Sequence, residues 1–307
     1  MGRHLVPSTG LNRQSLPPVL SIVRVRHGDA DAIAVWTGDE LRALNIRLDE
    51  LMIRSLDEIR QVVSAPGSRL DLADRALRAP VEGQEVWAAG VTYARSREAR
   101  MEESVESDVY AKVYRAERPE LFFKAAGWRV VASGHGVGIR PDSAWNVPEP
   151  ELAVLSNSRG EVIAYSIGND MSSRSIEGEN PLYLPQAKVY EQSCSIGPAA
   201  VLAWAVDPSS ARIDMRIERG PDVVFEGSTS VSQMVRDPAE LVGVLHAAYP
   251  LPVGAWLLTG TSLVPPRDYT AAEGDTITIG IEQLGTLVNH VETIKHTGAT
   301  ARPRLHK

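Results

Sequence analysis

Pro148-Glu149-Pro150-Glu151-Leu152-Ala153-Val154-Leu155 is followed, beyond Gly160 and a second apolar run, by Gly168-Asn169-Asp170-Met171-Ser172-Ser173-Arg174. Side chains alternate across a strand, so Glu149 and Glu151 share one face as they enter the apolar run. A turn at Gly160 returns the chain and delivers Asp170 beside them. Three carboxylates gathered in this way repel one another unless protons or a cation neutralise them. Hard oxygen donors with no Cys or His among them suit magnesium, manganese or calcium. A carboxylate pair on a strand is more often a solvated surface feature. Here the adjoining runs, LAVL after Glu151 and AYSIGN before Asp170, read as buried, which favours a metal site.

The chain around this hairpin has 307 residues and 43% hydrophobic content, enough to bury the core of one large domain and a small one. A formal net charge of -7 leaves no basic footprint for nucleic acid. The single cysteine, Cys194, excludes an intramolecular disulfide and fits a reducing compartment; within QSCSIG it reads as a small buried hydrophobe. The opening residues lack the apolar core of a signal peptide. The most apolar stretch, 241–260, is interrupted by His246, two prolines and glycines, so no membrane span is expected and the location reads as cytoplasmic.

Residues 1–17, rich in Gly, Pro, Ser and Arg, read as a loosely attached arm. Two strands joined at His27-Gly28-Asp29 follow, then a third short strand after Thr37-Gly38-Asp39. Ser55, with Glu58 three residues on, opens a helix whose apolar stripe is Leu56, Ile59, Val62 and Val63. These elements make a small N-terminal α/β unit over residues 1–85, assigned to packing or assembly, and a basic helical tail is expected to end near Ala79-Pro80. VWAAG at 86–90 reads as a strand emptying into a loop, and SREARMEES at 96–104 as a charged lid helix. GHGVG at 134–138 matches no phosphate-loop pattern and is taken as a turn. ENPLYLP at 179–185 reads as a non-repetitive loop that delivers Lys188. From Arg212 onward, three period-two segments and one helix opened by Asp237-Pro238 complete the chain.

The E-x-E strand, the N-D-x-S-x-R segment from Asn169 to Arg174, the later Lys188, and the ending GAWLLTGTSLVPP with EGDTITIGIEQLGTLVNHV stand in the order of the fumarylacetoacetate hydrolase superfamily. The chain resembles that family over about residues 86–296. The resemblance implies an α+β protein, with a mixed β-sandwich or β-roll catalytic domain over residues 86–307 behind the small N-terminal α/β domain. It implies that Glu149, Glu151 and Asp170 bind a divalent cation, usually magnesium, with manganese or calcium as substitutes. Lys188 then corresponds to the family's lysine beside the metal, and Thr261 and Arg174 to substrate contacts. The substrate implied is a small 2-oxo acid whose carboxylate and keto oxygen chelate the cation, stabilising the enolate formed at C3. A homodimer or homotetramer is the assembly implied.

Members that hydrolyse carbon–carbon bonds or decarboxylate commonly carry a His-Glu pair in the lid after a G-x-x-Y segment. After Gly90-Val91-Thr92-Tyr93, Ser96 and Ala99 stand at those positions, so water lacks an activator. The lid and the loop GENPLYLPQAKVY resemble instead the branch that dehydrates 2-keto-3-deoxy sugar acids, such as 2-keto-3-deoxy-D-arabinonate, to 2,5-dioxopentanoate. On that resemblance Lys188 and Glu120 are the candidates for proton transfer, with Glu102 and Glu103 as lid alternatives. Glu177 stands where many relatives have a substrate-binding glutamine. Acylpyruvate hydrolysis and oxaloacetate decarboxylation on the same metal are the alternative reactions.

Overall fold

Alternating apolar residues make most of this chain into strands, and where the alternation gives way to unbroken apolar runs the strands are covered on both sides. The computed structural model describes residues 13–27, 30–71, 75–93 and 116–295. The strands are β1 (Ser21–His27), β2 (Ala30–Trp36), β3 (Leu41–Leu44), β4 (Arg69–Leu70), β5 (Ala76–Arg78) and β6 (Glu85–Gly90). They continue with β7 (Glu120–Ala126), β8 (His135–Ile139), β9 (Asn146–Val147), β10 (Pro150–Ser156), β11 (Val162–Asp170) and β12 (Ser172–Ser173). The last are β13 (Cys194–Leu202), β14 (Arg212–Arg219), β15 (Asp222–Ser230), β16 (Ala255–Leu258), β17 (Thr276–Ile281) and β18 (Gly285–Thr293).

An 11-stranded sheet runs in the order β4-β3-β2-β1-β13-β11-β10-β16-β6-β7, with β5 paired to β1. A five-stranded sheet, β15-β14-β17-β18-β8, lies against it, and β9 and β12 form a short ribbon. Val137, Leu152, Ile167, Val201, Met215 and Ile279, drawn from both sheets, share one buried cluster. The opposite face of the large sheet, with Ala153, Leu155 and Ile196, is covered by Leu48, Leu51, Met52 and Ile59 of helices α1 (Leu48–Met52) and α2 (Leu56–Ser64). Every residue of β10 and β13 is buried as a result. This is the α+β, sandwich-like arrangement expected from the sequence.

The strands expected in the N-terminal unit belong to the large sheet: Ser21 pairs with Val201 and Ile22 with Ala200. Ser55 opens α2 with both halves of a capping box, Ser55 N–H donating to Glu58 Oε2 at 2.8 Å and Glu58 N–H to Ser55 Oγ. Leu56 N–H donates to Glu161 Oε2 at 3.0 Å, which ties this helix to the turn between β10 and β11. That turn contains Gly160 at φ +76°, the left-handed backbone glycine tolerates best. The metal-candidate hairpin is therefore held at both its sides and its tip.

Four local expectations are corrected. Residues 134–138 are not a turn: after Gly134, β8 pairs in parallel with β18, Gly136 opposite His290. A side chain at Gly138 would collide with the Glu191 carbonyl, so this glycine serves close packing within a strand. Among the described residues no helical tail precedes Pro80; Ala76–Arg78 is β5, drawn into extended form by pairing with β1. The described part of the arm is packed, with Leu16 buried and Trp36 Nε1–H donating to Pro17 O at 2.8 Å. The 179–185 loop contains a 3₁₀ turn, Pro181–Tyr183, whose Leu182 N–H is capped by Asn180 Oδ1 at 2.9 Å. It leads directly into a short helix, Leu184–Lys188, with Pro185 in its first turn. Among the described residues no helix is long and apolar enough to cross a membrane.

Candidate active site

Glu149 stands at the mouth of β10 and Glu151 on the strand itself, opposite Gly168 of β11. A side chain at Gly168 would run into Leu258 of β16, the strand on the other side of β10 in the same sheet, so the residue facing Glu151 is kept small. Two residue pairs further along, Asp170 N–H donates to Glu149 O at 3.0 Å, which closes the hairpin mouth. Glu149, Glu151 and Asp170 are all buried, and each offers an oxygen within 4.8 Å of the others. The sequence reading of three convergent carboxylates thus has a geometric counterpart.

Cations surround this cluster. Lys188, the last residue of the helix Leu184–Lys188, donates from Nζ to Glu149 Oε2 at 2.8 Å, Asp170 Oδ2 at 3.1 Å and Ser172 Oγ at 2.6 Å. Arg174 opens the preceding short helix, Arg174–Glu179; its Nη2 donates to Glu149 Oε1 at 2.6 Å. One turn on, Glu177 Oε2 lies 3.5 Å from Arg174 Nη1, so this buried acid faces the guanidinium. Lys124 of β7, fully buried, pairs with Asp170 Oδ1 and donates to the carbonyl oxygens of Met171 and Lys188. Glu151 differs from the other two acids in what it meets: the Gly260 N–H at 2.6 Å. Burial first, and then the charges of Asp170 and Glu149, push its carboxyl well above the usual range, against the opposing pull of Lys188 and that N–H. Three hard oxygen donors, one of them held against its own ionisation by its neighbours, fit a divalent cation of the magnesium type.

The acids floor a small cleft. Arg174, Lys188 and Thr261 complete its polar side, and Ala89, Val91, Phe122 and Val264 make an apolar side. Val91 holds φ +55°, a strained conformation for a β-branched residue, at the cleft wall. The adjoining Thr92 Oγ1 donates to Thr259 O, and Gly260 at φ +85° leaves room for that hydroxyl. Lys188 Nζ also lies 5.9 Å from the Phe122 ring centroid, within cation–π range.

Glu120 begins β7 opposite Gly90, with its carboxylate resting over that glycine. Gly90 lines the cleft, and Glu120 adjoins it without being among the lining residues. The lid positions Ser96, Ala99, Glu102 and Glu103 lie outside the described residues. Three participants were not singled out in the sequence: Lys124, Ser172 and the Gly260 N–H. Lys124 carried a signal, a lone cation inside the apolar run LFFKAA. Cys194, 1% exposed, has its thiol pushed up to about 12 by burial, which suits the inert role read from its surroundings.

Comparison with known proteins places this geometry. Residues 85–292 match the model of the fumarylacetoacetate (FAA) hydrolase C-terminal family. A protein of Haloferax volcanii named as a probable 2-keto-3-deoxyxylonate dehydratase is 47% identical over 268 residues, 86% of this chain and 91% of that protein. The 2-dehydro-3-deoxy-D-arabinonate dehydratase of Saccharolobus solfataricus is 38% identical over 264 residues, 80% of this chain and 89% of that protein. A solved structure of 2-keto-3-deoxy-D-arabinonate dehydratase complexed with magnesium and 2,5-dioxopentanoate superposes with a TM-score of 0.79 at 32% identity, covering 90% of this chain and 99% of that one. By its sequence, its two-sheet fold and its hairpin of buried carboxylates, the chain belongs to the fumarylacetoacetate hydrolase family.

Proposed function

We propose that this chain is a magnesium-dependent hydro-lyase that dehydrates a 2-keto-3-deoxypentonate to 2,5-dioxopentanoate. The observation that carries the reading is Lys188 Nζ within hydrogen-bonding distance of two of three buried carboxylates, at the floor of a cleft. The likeness to named dehydratases over most of the chain supports it. Glu149, Glu151 and Asp170 would hold the magnesium ion, which supplies Lewis-acid polarisation of the substrate's keto group.

The remaining roles fall to this chain's own groups. In the net reaction a proton leaves C3, the C4 hydroxyl departs as water after taking up a proton, and tautomerisation through C5 gives the aldehyde. Lys188 Nζ and the Glu120 carboxylate are our candidates to take and return those protons. Arg174 and Thr261 line the cleft where the substrate's polar groups would lie. Ala89, Val91, Phe122 and Val264 keep bulk water from the reacting carbons. Arg174 and Lys188, the two cations among the described lining residues, both engage Glu149, so a second substrate carboxylate finds little welcome. An uncharged hydroxylated tail suits the cleft better than the dicarboxylate oxaloacetate. The same family resemblance underlies our reading of a cytoplasmic homodimer or homotetramer, whose assembly light scattering of the purified protein tests.

The experiment is a substrate panel of 2-keto-3-deoxypentonates, acylpyruvates and oxaloacetate, each with magnesium and with excess chelator. We expect turnover of the deoxypentonates only, and only with the cation. Carbon–carbon cleavage or release of CO2 as the main activity would replace dehydration by one of the alternative reactions.

A further inference from the structure

We propose that Lys124 is a positioning residue of the metal centre, fixing both the Asp170 carboxylate and the short helix that presents Lys188. The inference rests on the metal-dependent reading above and concerns a residue which neither lines the cleft nor belongs to the carboxylate triad.

Lys124 is fully buried on β7, and its ammonium meets three acceptors in two separate segments. It pairs with Asp170 Oδ1, at the end of β11. It donates to Met171 O at 3.0 Å, on the residue that follows. Its third acceptor is Lys188 O, at the end of the helix Leu184–Lys188. No single element brings these acceptors together; the lysine joins the exit of β11, at Asp170 and Met171, to the terminus of the helix Leu184–Lys188.

Each contact has a consequence for the site. Asp170 has Lys124 on Oδ1 and Lys188 on Oδ2, so rotation of its carboxylate is resisted from both sides. The oxygen held by Lys188 is the one kept toward Glu149, since the same ammonium bridges to Glu149 Oε2. A helix of five residues is marginal by itself. Its terminal carbonyl, Lys188 O, accepts from Lys124 Nζ and, at 2.9 Å, from Ser193 Oγ. A cation at a helix C-terminus is favourably placed, and here it anchors the backbone of Lys188 itself. The Tyr190 ring, its centroid 5.8 Å from Nζ, closes the environment.

This role can be told apart from a bare electrostatic one. A positive charge beside Asp170 opposes a second cation, so if charge were all that Lys124 contributed, its removal would tighten metal binding. If orientation dominates, removal loosens binding and slows turnover, because both Asp170 and Lys188 lose their fixed geometry. Removing partners that orient metal ligands typically costs about 10-fold to 100-fold in affinity or activity.

The test uses the full chain with Lys124→Met, which keeps length and removes the charge, and Lys124→Gln, which keeps N–H donors. Manganese affinity is read without substrate by electron paramagnetic resonance, and kcat and KM are read with magnesium. We expect manganese binding weaker by about 10-fold or more in both variants, and kcat reduced by about 10-fold to 100-fold with little change in KM. Folded variants that bind manganese as well as or better than the wild type would overturn the proposal. So would failure of both variants to fold even with manganese present, because Lys124 would then serve the fold alone. Failure of the dehydratase reading looks different: a wild type that binds manganese yet does not turn over the deoxypentonates.

Discussion

Glu151→Gln is expected to abolish magnesium-dependent turnover while leaving the fold intact. The amide has the same shape, and its oxygen can still accept the Gly260 N–H now bound by Glu151 at 2.6 Å. What it loses is the anionic oxygen in a site that must bind a divalent cation. Loss of Lewis-acid stabilisation worth several kcal/mol corresponds to a fall in kcat/KM of about 10³-fold or more. Stability should move the other way. Glu151 is buried beside Asp170 and Glu149, which raise its pKa together with burial. A carboxyl whose folded pKa lies above its ordinary value of 4.5 binds its proton more tightly in the fold. Its favourable contribution is therefore complete below that pH and is lost as pH rises toward the raised value. Without metal, the melting temperature of Glu151→Gln relative to the wild type should rise between pH 5 and pH 8. Magnesium, which must displace the same proton, should stabilise the wild type more as pH increases and the variant hardly at all. Thermal unfolding across that pH range, with and without magnesium, measures both effects; a constant difference between the two proteins would contradict this account of Glu151.

Lys188→Met carries the second large effect. The substitution removes a candidate proton carrier, for which kcat losses of about 10²-fold to 10⁴-fold are typical. It also takes from Glu149 and Asp170 the ammonium that bridges them at 2.8 and 3.1 Å. Breaking a buried ion pair from one side costs about 3–5 kcal/mol. The metal-free variant should therefore melt well below the wild type, and magnesium should restore a larger share of its stability than it adds to the wild type. Steady-state kinetics and melting curves check the two halves independently. A variant with near-normal kcat would remove Lys188 from the proton transfers, even if its stability fell as expected.

The parts of this molecule legible in the sequence are those governed by local rules. The period-two runs of β14, β15, β17 and β18 fold as strands, and Ser55 with Glu58 makes the capping box that their spacing implies. The hairpin that brings Asp170 beside Glu149 and Glu151 follows from alternation and one turn. What was not legible depends on partners distant in the chain. The glycines of β8 look like turn residues until β18 lies alongside, and Ala76–Arg78 becomes a strand only because β1 offers an edge. Lys124 shows the same limit at the site. From sequence it is a cation next to two phenylalanines, and only the arrival of β11 and the helix Leu184–Lys188 turns it inward toward Asp170. Charged groups that support a site from behind lack a spacing rule, because each of their partners comes from a different element.

The reaction itself decides the account. Carbon-13 nuclear magnetic resonance of a 2-keto-3-deoxypentonate incubated with the protein follows every carbon at once. With magnesium, the C4 hydroxymethine signal should disappear as the C5 aldehyde of 2,5-dioxopentanoate and its hydrate appear, all five carbons retained, and excess chelator should stop the conversion. Loss of a carbon, cleavage of the chain, or conversion that proceeds equally well in chelator would contradict a magnesium-dependent dehydration.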